Sequence, residues 1–115
     1  MTVRYECHRE SDRELLGWVE RTPRGWASID RLGRTMTVET SREDAGVALR
    51  VRGLGYLAEG WMLDLEETGP VPVRLVEVSE ERIVVKEEDF GDVFHETALH
   101  VLPFPAPEAL QPRNR

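Results

Sequence analysis

The chain has 115 residues, 40% hydrophobic and 32% charged, which suits one folded domain with a sizeable core, leaves little room for two, and excludes wholesale disorder. Its formal charge of −7 argues against phosphate-dominated partners such as nucleic acid or an anionic membrane, and no apolar run approaches the roughly 20 residues of a spanning helix. One cysteine, Cys7, rules out an internal disulfide and a multi-cysteine zinc site.

The charge is unevenly spread. Residues 1–57 hold ten Lys/Arg against nine Asp/Glu, a net of +1, and residues 58–115 hold five against thirteen, a net of −8. An acidic half of this kind is compatible with a basic partner and is otherwise a solvated surface. The segment up to Glu14 has no apolar stretch and carries acids early, unlike a secretory leader, so a cytoplasmic location is the expectation.

In chain order, Val3, Tyr5 and Cys7 alternate with Arg4, Glu6 and His8 and predict a strand from Thr2 to Arg9. Ser11-Asp12-Arg13-Glu14 has the form of a capping box, which would open a short helical turn before Gly17. Thr22-Pro23-Arg24-Gly25 is a type I turn signal. A hairpin closed there sets Trp18 across from Ile29 and Val19 across from Ser28. A second turn, Arg31 to Arg34, then sets Met36 beside Ile29 and Val38 beside Ala27. The expected result is a buried row Trp18–Ile29–Met36, with Trp26 off that face by parity and partly exposed.

Ser41 as N-cap, Glu43 and Asp44 in a first turn, Arg50 and Arg52 in a last turn and Gly53 beyond them predict a helix near residues 42–52, with Ala45, Ala48 and Leu49 on its inner face. The competing strand reading rests on the alternation of Val47, Leu49 and Val51 and on Gly46, which costs a helix about 1 kcal/mol relative to alanine. Agreement of the start and stop signals favours the helix.

Trp61 to Glu88 reads as a second meander of three strands. A loop from Glu66 to Pro70 would pair Leu65 with Val71, Leu63 with Val73 and Trp61 with Leu75. At Leu75-Val76 the apolar phase slips by one, which calls for a β-bulge or a strand buried on both sides. Past the Ser79 to Arg82 turn, Ile83 and Val85 would face Val78 and Val76, and Arg74 would lie opposite Glu87. Ala98, His100 and Leu102 alternate with Leu99 and Val101, giving a last strand from Thr97 to Leu102.

The expected fold is therefore α+β and β-dominated: two antiparallel three-stranded meanders in a strongly bent sheet or small, partly open barrel, with one helix near 42–52. Residues 1–104 make the β-rich globular domain. Residues 105–115 make an extended, proline-rich C-terminal arm that frays at its end.

Three kinds of chemistry are worth weighing. Asp92, His95, Glu96 and His100 are metal-ligand types, but His95 and His100 are five apart and point to opposite faces of a strand. A small metal-dependent enzyme using His95 and His100 is accordingly the weakest alternative. No serine or cysteine sits in a nucleophile context, and the carboxylate clusters fall at turns and strand ends. Arg21, Arg24, Arg31 and Arg34 occupy two turns near Trp26 and could touch phosphate, yet Glu20, Asp30 and Glu39 are interleaved. Trp26, Phe104 and Pro105 are the candidates for protein contact, the tryptophan as an anchor and the proline arm as an extended docking segment. The expectation is a small non-enzymatic cytoplasmic module without a cofactor, acting through a protein partner or self-association, with weak nucleic-acid binding as the alternative.

Overall fold

The computed structural model describes residues 3–88 and 98–113. They form a β-dominated α+β structure with two antiparallel sheets, of four and five strands, and one α-helix; neither sheet closes into a barrel. The chain divides into two compact units, Met1–Tyr56 and Leu57–Arg115.

The first unit contains β1 (Arg4–His8), β2 (Leu15–Thr22), β3 (Gly25–Asp30), β4 (Thr35–Glu39) and α1 (Arg42–Arg52). Its sheet follows chain order, so β1 adds a fourth strand to the expected meander. The β2–β3 register is as the turn chemistry predicts, with Trp18 opposite Ile29 and Val19 opposite Ser28. The next hairpin departs from expectation. Ala27 lies opposite Val38, but the register shifts between Ser28 and Ile29, and Ile29 pairs with Thr35. Met36 is the inserted residue, and it packs instead against Leu16, Val19, Ala45 and Leu49. The row Trp18–Ile29–Met36 is thereby broken. The cause lies at the turn, where buried Asp30 accepts from the N–H groups of Leu32 and Arg34 at 2.9 and 3.1 Å and its own N–H donates to the Arg34 carbonyl. That closed loop sets where β4 begins, and the extra residue is absorbed as a bulge.

The helix forms as its end signals dictate. Ser41 Oγ accepts from Asp44 N–H at 3.1 Å, and Gly53 takes a positive φ of 65° and donates to the Leu49 carbonyl. Ala45, Gly46 and Leu49 are buried, while Val47 and Val51 face solvent, which disposes of the strand reading. The Ser11 capping box does not form. Residues 9–14 are a hairpin loop organised by Asp12, which accepts from Glu14 N–H and holds Arg9 in a two-point ion pair at 3.0 and 2.7 Å. Asp12's short side chain reaches its own backbone two residues on, and the one helical-type bond, Arg13 N–H to the Arg9 carbonyl, goes no further because Arg13 takes a positive φ of 61°.

The second unit contains β5 (Trp61–Leu65), β6 (Gly69–Val78), β7 (Ile83–Glu87), β8 (Leu99–Leu102) and β9 (Leu110–Pro112), ordered β8-β7-β6-β5-β9. The β5–β6 turn is tighter than the expected five-residue loop. Gly69, at φ 81°, enters the strand opposite Leu65, so Leu63 pairs with Val71 and Trp61 with Val73. The slip is of two residues, so parity survives, and Trp61, Leu63 and Val73 remain buried together with Ile83, Val85 and Leu110.

The phase change at Leu75-Val76 is a bulge, as expected: Leu75 pairs with Val85 and Glu77 with Val84, leaving Val76 over and solvent-facing. Val78 faces Ile83 as predicted, but the insertion sets Arg74 opposite Lys86 rather than Glu87. Its guanidinium reaches Glu88 instead, at 2.8 Å. Residues 105–115 were expected as a proline-rich arm; within them Leu110–Pro112 pairs with β5 and fully buries Leu110.

Candidate functional site

The expected contact residues have different settings. Trp26 is half-buried on the helix side of the first sheet, packed against the Leu16, Val19, Ala45 and Leu49 cluster. Its ring centroid lies 6.2 Å from that of Tyr5, and the Arg42 guanidinium stands 4.0 Å from Tyr5 and 6.0 Å from Trp26. It is part of an aromatic–cation group, its ring tilted 43° to that of Tyr5. In the second unit Phe104 is half-buried and Pro105 is exposed.

The four arginines weighed for nucleic acid fall into two pairs at opposite ends of β3. Arg21 and Arg24 flank the β2–β3 turn, and Arg31 and Arg34 lie in the β3–β4 turn. The six residues of β3 separate the two pairs by about 20 Å. Arg31 also stacks on Trp18, at 5.8 Å, and the Arg34 backbone is committed to Asp30. Of the candidate metal ligands, Asp92, His95 and Glu96 lie outside the described residues. His100 sits opposite Val85, and its Nε2 is 2.7 Å from Glu87 Oε2. Among the described residues no three His, Cys, Asp or Glu side chains are placed to hold a metal ion.

Two features stand out that the sequence did not assign. The first is the outer face of β8. Leu99 and Val101 are 61% and 65% exposed, at the end of the sheet order. They lie opposite Lys86 and Val84 of β7, and Val84 lies opposite Glu77, beside the exposed bulge residue Val76. An aliphatic stripe therefore runs across three strands on the solvent side. The alternation of Leu99 and Val101 was visible in sequence, but which of the two sets faced out was not.

The second is a groove of about 560 Å³ between β1 and α1. Cys7 and Val19 line its floor, and Arg42, Gly46 and Arg50 line its helix side. At one end His8 is fixed by its neighbours: Nδ1 donates to the Arg13 carbonyl at 3.0 Å and Nε2 meets Glu6 Oε1 at 2.9 Å. Comparison with known family models, with curated proteins and with solved structures finds no match.

Proposed function

We propose that this chain is a non-enzymatic contact module of the cytoplasm whose second unit takes up an extended, basic segment of a protein partner along β8. The observation that carries the reading is the pair Leu99 and Val101, each more than half exposed on the last strand of a sheet. Among the described residues β8 has no neighbour on its outer side; a strand so placed presents unpaired backbone groups along one side, and two aliphatic side chains beside them supply the alternate-residue contacts that make strand addition selective. Val84 and Val76 extend the apolar footprint inward.

Charge decides between occupants. Leu57–Arg115 carries a net of −8, so two copies brought edge to edge would repel, whereas a basic segment is attracted. Cytoplasmic action fits a chain with a single, unpaired thiol.

The test is a titration of the whole chain with decapeptides alternating valine and lysine, followed by backbone amide signals. Saturable shifts confined to β8 and β7, abolished in Leu99→Glu/Val101→Glu and reduced by salt, are expected. No saturable response, or an equal response in that variant, overturns the reading. Sedimentation showing a dimer that is lost in Leu99→Glu/Val101→Glu overturns the choice of partner in favour of a second copy.

A further inference from the structure

We infer that the groove between β1 and α1 is a binding site for a small dicarboxylate, with Arg42 and Arg50 taking one carboxylate each. Arg42, Gly46 and Arg50 are spaced by four, so they form a single ridge along α1 in which the middle side chain is missing. The two arginine Cα atoms lie about 12 Å apart along the axis; Arg50 leans back over Gly46, the Arg42 guanidinium rests on Tyr5, and both line the groove. The missing side chain is what makes the ridge a groove.

Gly46 carries the argument further. A glycine inside a helix costs about 1 kcal/mol relative to alanine, and this one is not required by close packing. A methyl at this position would meet Arg50 Nη1 at 3.3 Å and Cys7 Sγ at 3.8 Å, with no backbone nearer. Both neighbours are side-chain atoms, and a guanidinium swings aside easily. What a larger side chain would do is fill the space above Cys7 and Val19 and push Arg50 outward. Glycine therefore gives the Arg50 guanidinium room to lie back over the groove beside Cys7.

Arg4, Arg9, Arg74, Arg82 and Arg113 each stand within 4.0 Å of a carboxylate, whereas Arg42 and Arg50 make no such pair among the described residues. Arg42 is held by its stack on Tyr5, which positions its guanidinium while leaving its in-plane donors available for a bidentate carboxylate. Glu6, the one acid of β1, also lines the groove and is turned onto His8. Glu43 remains on the rim, and its charge disfavours a long polyanion such as nucleic acid while leaving a ligand with acids only at its two ends acceptable. Apolar Val19 and Cys7 suit the methylene link between those ends.

The experiment titrates the whole chain with succinate, glutarate and adipate, with acetate and inorganic phosphate as comparisons, reading the backbone amides of Cys7, Gly46 and Arg50. One dicarboxylate is expected to saturate these signals in the millimolar range or tighter, with acetate weaker by at least about tenfold because it can satisfy only one arginine. Arg42→Ala and Arg50→Ala should each weaken binding about tenfold, and Gly46→Leu should abolish it in a protein that remains folded. Arg21→Ala/Arg24→Ala, which removes two cations away from the groove, should leave it unchanged. A uniform response to all anions, phosphate and acetate included, overturns the proposal, as does full binding in Gly46→Leu or an equal loss in Arg21→Ala/Arg24→Ala.

Discussion

Ser28 Oγ donates to the Ala45 carbonyl at 2.8 Å, and this bond fastens the middle of α1 to the centre of the first sheet. Thr37 Oγ1 donates in turn to Ser28 Oγ at 3.1 Å, and Ser28 is fully buried. Ser28→Ala leaves the Thr37 hydroxyl without its acceptor and removes the second bond to the Ala45 carbonyl, so a loss of about 1–3 kcal/mol is expected. Urea unfolding should show a lower midpoint with an unchanged slope. A midpoint equal to the unaltered chain's would mean that the bond has no net value.

The cap at Ser41 gives a smaller effect. Its hydroxyl satisfies Asp44 N–H, one of four donors that a helix start leaves open. Ser41→Ala should cost about 1 kcal/mol and Ser41→Asp should restore it, because aspartate caps as well and favours the positive helix end. Thermal melts of the three proteins check the order.

These two contacts also separate what the sequence shows from what it hides. Ser41 and Gly53 are end signals whose chemistry acts within one turn, so the helix is readable from Ser41 to Gly53 without any knowledge of its neighbours. The Trp18–Ile29 pairing is readable for the same reason, because Pro23 and Gly25 set the turn between them. Met36 is not, because its bulge depends on how Asp30 closes the following loop. The β5–β6 register slips by two because Gly69 tightens the turn, yet the buried set is right because parity is kept. The proline spacing of residues 103–107 implies an extended chain and says nothing of Leu110–Pro112 finding β5. The groove was hidden most completely. It needs Cys7 from β1 beside Gly46 from α1, a long-range meeting that no local pattern records.

Acid should affect two aspartates in opposite directions. The Arg9 guanidinium, and then the Glu14 N–H, hold the Asp12 carboxyl down from the usual 3.8 to about 2. Its stabilising effect is therefore present above the unfolded value and lost as pH falls toward about 2. Burial pushes the Asp30 carboxyl up, against the opposing N–H bonds of Arg34 and Leu32. The charged form is the one the fold disfavours there, so stability is withdrawn as pH rises through the raised value and returned below it. Denaturant unfolding of the unaltered chain, Asp12→Asn and Asp30→Asn between pH 2 and 6 tests both. The deficit of Asp12→Asn should shrink on acidification, whereas Asp30→Asn, which keeps an acceptor oxygen, should gain on the unaltered chain as pH rises. Parallel curves for the three proteins would overturn both assignments.

Gly17 and Gly69 both have positive φ, at 151° and 81°, and adding a methyl to each should have very different consequences. At Gly17 a Cβ would collide with the Ile29 backbone carbonyl and crowd Leu49 Cδ2 at 3.1 Å. Gly17 pairs with Asp30 in β3, so the strands could make room only by separating at the centre of the first unit's core. At Gly69 no atom of the described residues beyond its chain neighbours lies within 4 Å of an added Cβ, and the cost is the backbone conformation alone, about 1–2 kcal/mol. Gly17→Ala should therefore lose several times as much stability as Gly69→Ala, or fail to accumulate as folded protein. Amide exchange should report the difference by place, with Gly69→Ala loosening only the β5–β6 turn and Gly17→Ala exposing β2, β3 and α1 together. Equal losses in the two variants would show that the β2–β3 pairing at Gly17 is looser than the close approach of Ile29 implies.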